Sequence, residues 1–192
     1  MAAEGAAGGP IGVLALQGGV EAHERILRGL GFEVRRVKTA ADLEAVAGLV
    51  LPGGESTSML KLIGYSQLGP ALEAFVASAR PVLATCAGLI LAARHVSDPE
   101  QASFGWLDVD VARNAWGRQV DSFEGRADGN GMPLVFIRAP RIRRVGAGVE
   151  VLATLDGEPI AVRQGAVVGA SFHPELADVS ALHTLAFGVA RT

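Results

Sequence analysis

Short apolar stretches punctuate the first half of the chain. Residues 11–16 (IGVLAL) form a continuous apolar run, the pattern of a strand covered on both faces. The run ends in Gln17-Gly18-Gly19, and helical spacing follows from about Val20 to Leu30, stopped by Gly31. Residues 32–37 (FEVRRV) read as a second strand, 40–47 as a short helix, and 48–51 (GLVL) as a third strand broken at Pro52-Gly53-Gly54. Ser56 or Thr57 is placed to cap a helix running towards Ile63, and residues 68–79 give another helix with Pro70 in its first turn. Residues 81–93 (PVLATCAGLILAA) then read as strand, sharp turn at Cys86-Ala87-Gly88, and helix.

After about residue 100 the pattern changes. Residues 107–113 (LDVDVAR) alternate with period two, the mark of a half-buried strand. Segments 134–138, 149–154, 159–163 and 166–172 are further strand candidates, separated by turns such as Asp156-Gly157 and Gln164-Gly165. A helix over 180–190 follows. The strand–helix alternation predicts an α/β fold with a mainly parallel, doubly wound sheet, and the C-terminal half adds antiparallel strands to its edge or builds a small second sheet. Ligands of such sheets bind at the carboxyl ends of the strands. The loops at 17–19, 52–56 and 85–88 all follow strands and are expected on that one edge.

Composition narrows the picture without changing it. A chain of 192 residues suits one domain with a sizeable core, and no repeat or linker divides it. Residues 11–192 are therefore read as a single domain behind a leader, 1–10, whose Ala/Gly content suggests a disordered or extended start. Hydrophobic residues make up 49% but aromatics only 5%, so the core must be built from Val, Leu, Ile and Ala. A net charge of −3 gives no electrostatic reason to expect nucleic acid or an anionic membrane as partner. No apolar run reaches the roughly 18 residues of a membrane span, and the leader lacks the basic residue and apolar core of a signal peptide. The single cysteine rules out an internal disulfide and suits a reducing cytoplasm.

That cysteine, Cys86, sits on the turn between strand and helix. A nucleophile so placed is pushed clear of its neighbours, and the helix start offers N–H groups and a positive dipole end that favour thiolate. The plainer alternative is a small buried hydrophobe, the usual fate of a free cysteine. A nucleophile also needs a base and an orienting group. Of the four histidines, His23 and His183 fall within helix patterns and His95 at a helix end, whereas His173 ends a strand and precedes Pro174-Glu175. In an extended segment residues i and i+2 point the same way, so Glu175 is expected to orient His173. A surface His-Pro-Glu turn is the competing reading. The glycines of Leu51-Pro52-Gly53-Gly54-Glu55-Ser56 expose N–H groups suited to an oxyanion, or simply make a tight turn. Arg113 and Arg138 end strand runs and could hold a carboxylate, and the group Arg138, Arg141, Arg143, Arg144 is either an anion surface or a solvated face.

Together these residues resemble a class I glutamine amidotransferase, whose signature is an elbow cysteine, an upstream Gly-Gly oxyanion loop and a late His-x-Glu. More specifically, LALQGGVEAH (14–23), LPGGEST (51–57), TCAGLILAA (85–93), GRQVDSFEG (117–125), VFIRAP (135–140) and SFHPEL (171–176) resemble the glutaminase subunits of pyridoxal 5′-phosphate synthases. The resemblance spans roughly residues 11–190. One departure is Ala84, where that family usually has the first glycine of the elbow.

The resemblance implies a three-layer, flavodoxin-like fold and a defined chemistry. Cys86 would attack the carboxamide of L-glutamine, with His173 as general base and acid and Glu175 orienting it. N–H groups near Gly54 and Ala87 would hold the oxyanion. Gly54, Glu55, Ser56, Arg113, Ile137 and Arg138 would contact glutamine. Ammonia would pass to a separate synthase subunit that builds pyridoxal phosphate, and this chain would bind no pyridoxal phosphate, metal or nucleotide. The loop Gln17-Gly18-Gly19, beside Pro52-Gly53-Gly54 on the strand-end edge, is the expected contact through which that partner gates hydrolysis. Two rivals stand beside this reading: a cysteine hydrolase or chaperone with a similar elbow, and a scaffolding subunit that keeps the fold without turnover. The intact Cys86, His173 and Glu175 weigh against the second.

Overall fold

The computed structural model describes residues 9–113, 115 and 122–189. The first half alternates as the sequence predicts: β1 (Ile11–Leu14), α1 (Val20–Gly29), β2 (Val34–Val37), α2 (Ala40–Glu44), β3 (Gly48–Leu51), α3 (Ser56–Tyr65), α4 (Gly69–Ala77), β4 (Val82–Thr85) and α5 (Ala87–Ala92). The second half carries β5 (Ala93–Ser97), β6 (Leu107–Ala112), β7 (Ser122–Arg126), β8 (Pro133–Ile137), β9 (Arg141–Val145), β10 (Glu150–Leu155), β11 (Glu158–Gln164), β12 (Val167–Ala170) and α6 (Ala181–Phe187). Of the leader, only Gly9 and Pro10 are described, and the Pro10 carbonyl accepts a hydrogen bond from Ala47 N–H at 2.8 Å. Residues 117–121 of the GRQVDSFEG segment lie outside the described residues, and 122–125 fall within β7.

Seven strands form the main sheet in the order β10-β11-β12-β4-β3-β1-β2. The pairs β1–β2, β1–β3, β3–β4 and β4–β12 are parallel, and β10–β11 and β11–β12 are antiparallel. The strands of the second half do both things the sequence left open, although β5 pairs with β6 in parallel. β10 and β11 extend the main sheet, while β5-β6-β9 and β7-β8 form small sheets of their own. Period-two geometry explains the continuous apolar runs. Leu49, Leu51, Val82 and Ala84 enter a core cluster together with residues of α2, α3, α4 and α5. Their neighbours Val50 and Leu83 enter a second cluster with residues of α1, α6 and the β7–β8 hairpin. Each strand is thus covered on both faces, and the layers are helix, sheet, helix.

Several local expectations need correction. The cap of α3 is Glu55, not Ser56 or Thr57: its carboxylate accepts from Thr57 N–H at 3.0 Å and Ser58 N–H at 2.7 Å. Two carboxylate oxygens satisfy two orphan donors of the first turn, which one hydroxyl cannot do. His95 lies in β5 rather than at a helix end, because the chain leaves α5 at Ala93 with extended angles. β5, β7 and β9 escaped notice as strands, since Arg-rich or mixed stretches such as RIRRV show no clean alternation.

The segment Pro174–Leu176 is a 3₁₀ turn, not an extended strand end. Proline is well tolerated at the first helical position, where its missing N–H is not needed, so Pro174 starts a turn instead of preventing one. No helix among the described residues is long and apolar enough to cross a membrane.

Candidate active site

Neighbouring strands bring the site together. In the sheet order β12-β4-β3-β1, the loops after β1, β3 and β4 and the segment after β12 emerge side by side at the carboxyl edge. They enclose a cavity of about 330 Å³. Cys86 follows β4 with φ 48 and ψ −103, a left-handed backbone that a non-glycine residue rarely adopts. Its N–H donates to the Ala170 carbonyl at 2.8 Å, which anchors the turn to the end of β12. Parallel pairing sets Ala170 beside Thr85, so three residues later His173 reaches the elbow. His173 N–H is held by the Val135 carbonyl at 2.8 Å.

The compact turn at Pro174 returns Glu175 to its histidine, with His173 Nδ1 2.7 Å from Glu175 Oε1. Both residues are buried, at 8% and 1% exposure. Burial works against a charged imidazole, but the hydrogen bond to Cys86 and the pairing with Glu175 outweigh it, and His173 is pushed up to about 10. Burial likewise opposes an ionised Glu175, yet the hydrogen bond from His173 holds its carboxyl below the usual range. His173 therefore keeps its proton at neutral pH, between a carboxylate and the cysteine sulfur. Cys86 Sγ also lies 3.7 Å from the Ile137 carbonyl.

Gly53 packs directly on this pair: a Cβ there would sit 2.3 Å from His173 Cε1 and 3.2 Å from Cys86 Cβ. Its carbonyl accepts from Gly19 N–H at 3.0 Å, and Gln17 Oε1 accepts from Glu55 N–H at 2.8 Å. The 17–19 and 53–55 loops are thus laced together.

Gly54, Glu55, Ser56, Arg113, Ile137 and Arg138 all line the same cavity. Arg113 lies 3.5 Å from Glu55 Oε1 and donates to Thr57 Oγ1 at 3.2 Å. Glu55 is drawn down to about 2, first by the Ser58 hydroxyl and then by the α3 N–H groups, so it stays ionised beside Arg113. Ser56 commits its hydroxyl to Gln101 Oε1 at 2.9 Å. Arg138 holds a left-handed φ of 44 at the cavity wall, while Arg141 and Arg144 pair with Glu158, Asp108 and Asp110 on the protein's own surface. The arginine group is therefore split: Arg138 belongs to the cavity, while Arg141 and Arg144 are engaged in ion pairs. Ala87 does not line the cavity, since its methyl is buried in the core.

Sequence reasoning missed the residues behind Glu175. His23 and His183 are fully buried, and His23 reaches Glu175, Thr85 and His183 at once. The available signal was helical spacing: Val20, His23, Glu24 and Leu27 fall on the buried stripe of α1. Gln101, Ile90 and Leu176 were also missed.

Comparison with known proteins gives a consistent result. The model of the SNO glutamine amidotransferase family matches residues 13–187. A pyridoxal 5′-phosphate synthase subunit PdxT of Shouchella clausii is 49% identical over 177 residues, covering 90% of this chain and 91% of that protein. The protein of the same name from Natronomonas pharaonis is 47% identical over 186 residues, covering 92% and 97%. A solved glutamine amidotransferase superposes with a TM-score of 0.85 at 44% identity, covering 93% of this chain and 99% of that one. A PurLQS structure from Thermotoga maritima shares the fold at a TM-score of 0.68 and 16% identity.

Proposed function

Because this chain belongs to the SNO glutamine amidotransferase family, we propose that it is the glutaminase subunit of a pyridoxal 5′-phosphate synthase. It hydrolyses L-glutamine to L-glutamate and ammonia and delivers the ammonia to a separate synthase subunit. The observation that carries this reading is the meeting, in one cavity, of the elbow Cys86, the His173–Glu175 pair and the Gly53-Gly54 loop.

The chemistry follows from the geometry. The Cys86 thiolate attacks the carboxamide carbon of glutamine, and the carbonyl oxygen becomes an oxyanion. Backbone N–H groups at Gly54 and Ala87 face that charge; Ala87, first residue of α5, has an N–H free of any helical partner. His173, already protonated, gives its proton to the departing nitrogen, the C–N bond breaks, and ammonia leaves a thioester. Water attacks the thioester as His173 takes its proton, the C–S bond breaks, and glutamate leaves with the thiolate restored. Glu175 keeps the imidazole turned to the sulfur throughout. The Arg113–Glu55 pair and Arg138 provide the charges that suit the α-ammonium and α-carboxylate of the substrate.

Hydrolysis without an acceptor wastes ammonia, and the Gln17-Gly18-Gly19 loop is the gate. The partner docks on this edge and locks the contact between loop 17–19 and the Gly53–Gly54 peptide for catalysis. A reducing cytoplasm suits the free thiol on which all this depends. The test is glutamate release from L-glutamine by the chain alone and with a stoichiometric synthase subunit. Turnover that rises with the partner, up to about 10²–10³-fold if one oxyanion donor is being completed, supports the reading. No glutaminase activity in either state refutes the function, and a full rate in the free chain refutes the gating alone.

A further inference from the structure

Two buried histidines outside the proposed triad are linked to it in series. His23 on α1 and His183 on α6 meet at 2.9 Å between Nδ1 and Nε2. The other nitrogen of His23, Nε2, lies 3.3 Å from Glu175 Oε2 and 3.2 Å from Thr85 Oγ1, one residue before the elbow cysteine. All three supporting side chains are fully buried. Glu175 presents one oxygen to His173; its other oxygen, Oε2, is buried without an aligned hydrogen bond, and the group facing it is the His23 ring. A buried carboxylate oxygen is costly unless a donor serves it.

Burial holds His23 down to about 4 and His183 down to about 3, so both rings are neutral at physiological pH and each carries one N–H. Two arrangements are then open. In one, His183 Nε2–H donates to His23 Nδ1, and His23 Nε2–H points at Glu175 Oε2 and Thr85 Oγ1. In the other, His183 puts its proton on Nδ1 towards the Val179 carbonyl, His23 donates from Nδ1, and His23 Nε2 turns a lone pair to the carboxylate. The second sets two electron-rich atoms 3.3 Å apart. It also needs a hydrogen bond at His183 Nδ1, where the Val179 carbonyl lies close but out of good alignment. The first leaves only an acceptor unserved there, which costs less than an orphaned N–H.

Resting on the triad reading above, we infer that His23 is a positioning residue. Held in its Nε2–H tautomer by His183, it presents that N–H to Thr85 Oγ1 and to the far oxygen of Glu175, 3.3 Å away, and so braces the carboxylate that orients His173. The relay is His183 to His23 to Glu175, met from the other side by His173. It acts on the rate and not on glutamine binding, because neither His23 nor His183 lines the substrate cavity.

The test has two arms. Nitrogen-15 NMR of the unaltered chain, labelled at histidine, reads the tautomer directly; His23 and His183 should both be neutral with the proton on Nε2. A His23 proton on Nδ1 overturns the inference whatever the variants do. In the complex with the synthase subunit, His23→Leu should lower kcat by about ten- to a hundredfold, as removal of an outer partner of a functional group does elsewhere, with KM for glutamine within twofold of the parent. His23→Gln, whose carboxamide places an N–H near the site of Nε2, should recover a good part of kcat. A full kcat in His23→Leu, a loss confined to KM, or no recovery of kcat in His23→Gln refutes the role. Activity surviving in Cys86→Ala would instead defeat the triad reading, so the two failures are distinguishable.

Discussion

The carbonyl of Gly53 accepts the backbone N–H of Gly19 at 3.0 Å, which ties loop 17–19 to the peptide that carries Gly54 N–H. In a trans peptide the N–H points away from the carbonyl. Holding the oxygen towards loop 17–19 therefore fixes the direction of the Gly54 donor. Gly18 makes the contact possible: its φ is +104, and a Cβ would lie 1.9 Å from Gly53 O. We expect Gly18→Ala to push the two loops apart. Partner-stimulated glutaminase should fall by about 10²–10³-fold, the value of one oxyanion donor, with far-ultraviolet circular dichroism unchanged. Full stimulation in this variant would move the gate elsewhere. Gln17→Ala, which frees Glu55 N–H, should lose part of the stimulation.

Cys86 is the chain's only thiol, so a glutamine-derived affinity label should add once, at this residue. Cys86→Ala and Cys86→Ser should lose turnover by several orders of magnitude. Intact-mass measurement after labelling and steady-state glutamate release check both points. A second modified site, or turnover in Cys86→Ala, contradicts the assignment.

His173→Asn should be nearly inactive, while Glu175→Gln keeps partial activity, because an imidazole without its carboxylate can still exchange a proton. The pH profile separates them further. With Glu175 in place His173 holds its proton up to about 10, so the alkaline limb of kcat/KM belongs near that value. Neutralising Glu175 removes one cause of the upward displacement, and the limb should move towards lower pH. An unmoved limb would mean that Glu175 does not set the charge of His173.

The two inner histidines also govern acid stability. His23 drops from 6.5 to about 4 in the folded chain, through burial first. A depressed histidine binds its proton more readily when unfolded, so the folded state is unpenalised above about 6.5 and loses stability as pH falls towards 4. The gap corresponds to roughly 3 kcal/mol for His23. Urea unfolding at several pH values should show this slope, and His23→Leu should flatten it. An identical slope in that variant would assign acid sensitivity to other groups.

How much of this was legible in the sequence depends on the physics of each part. Strands β1, β3 and β4 announced themselves because burial on both faces demands uninterrupted apolar runs, and the elbow was visible as a cysteine where such a run turns into a helix. All residues expected to touch glutamine line one cavity, Gly54 to Ser56 from the loop after β3, and Arg113, Ile137 and Arg138 from the ends of β6 and β8 in the two small sheets. Ala84, the departure from the family pattern, is buried in β4 and paired with Gly169 of β12. Glu175 was assigned its partner on the wrong local geometry; a proline that excludes helix interiors also begins helical turns, and spacing alone cannot tell the two apart. The His23–His183 pair was illegible for a different reason, since the two residues are 160 positions apart and only packing of α1 against α6 reveals them.

The central position of β12 bears on how the chain comes into being. Cys86, the Gly53-Gly54 loop and loop 17–19 are all encoded before residue 90, but His173 follows a strand that pairs with β4 across more than 80 positions of sequence. During synthesis the thiol half emerges first, with the flank of β4 unpaired and apolar until β12 arrives. A nascent or prematurely ended chain therefore carries the proposed nucleophile without its proposed base. On the proposed roles, glutamine hydrolysis waits until the sheet is closed, so the order of translation itself keeps the chemistry silent until the fold is complete.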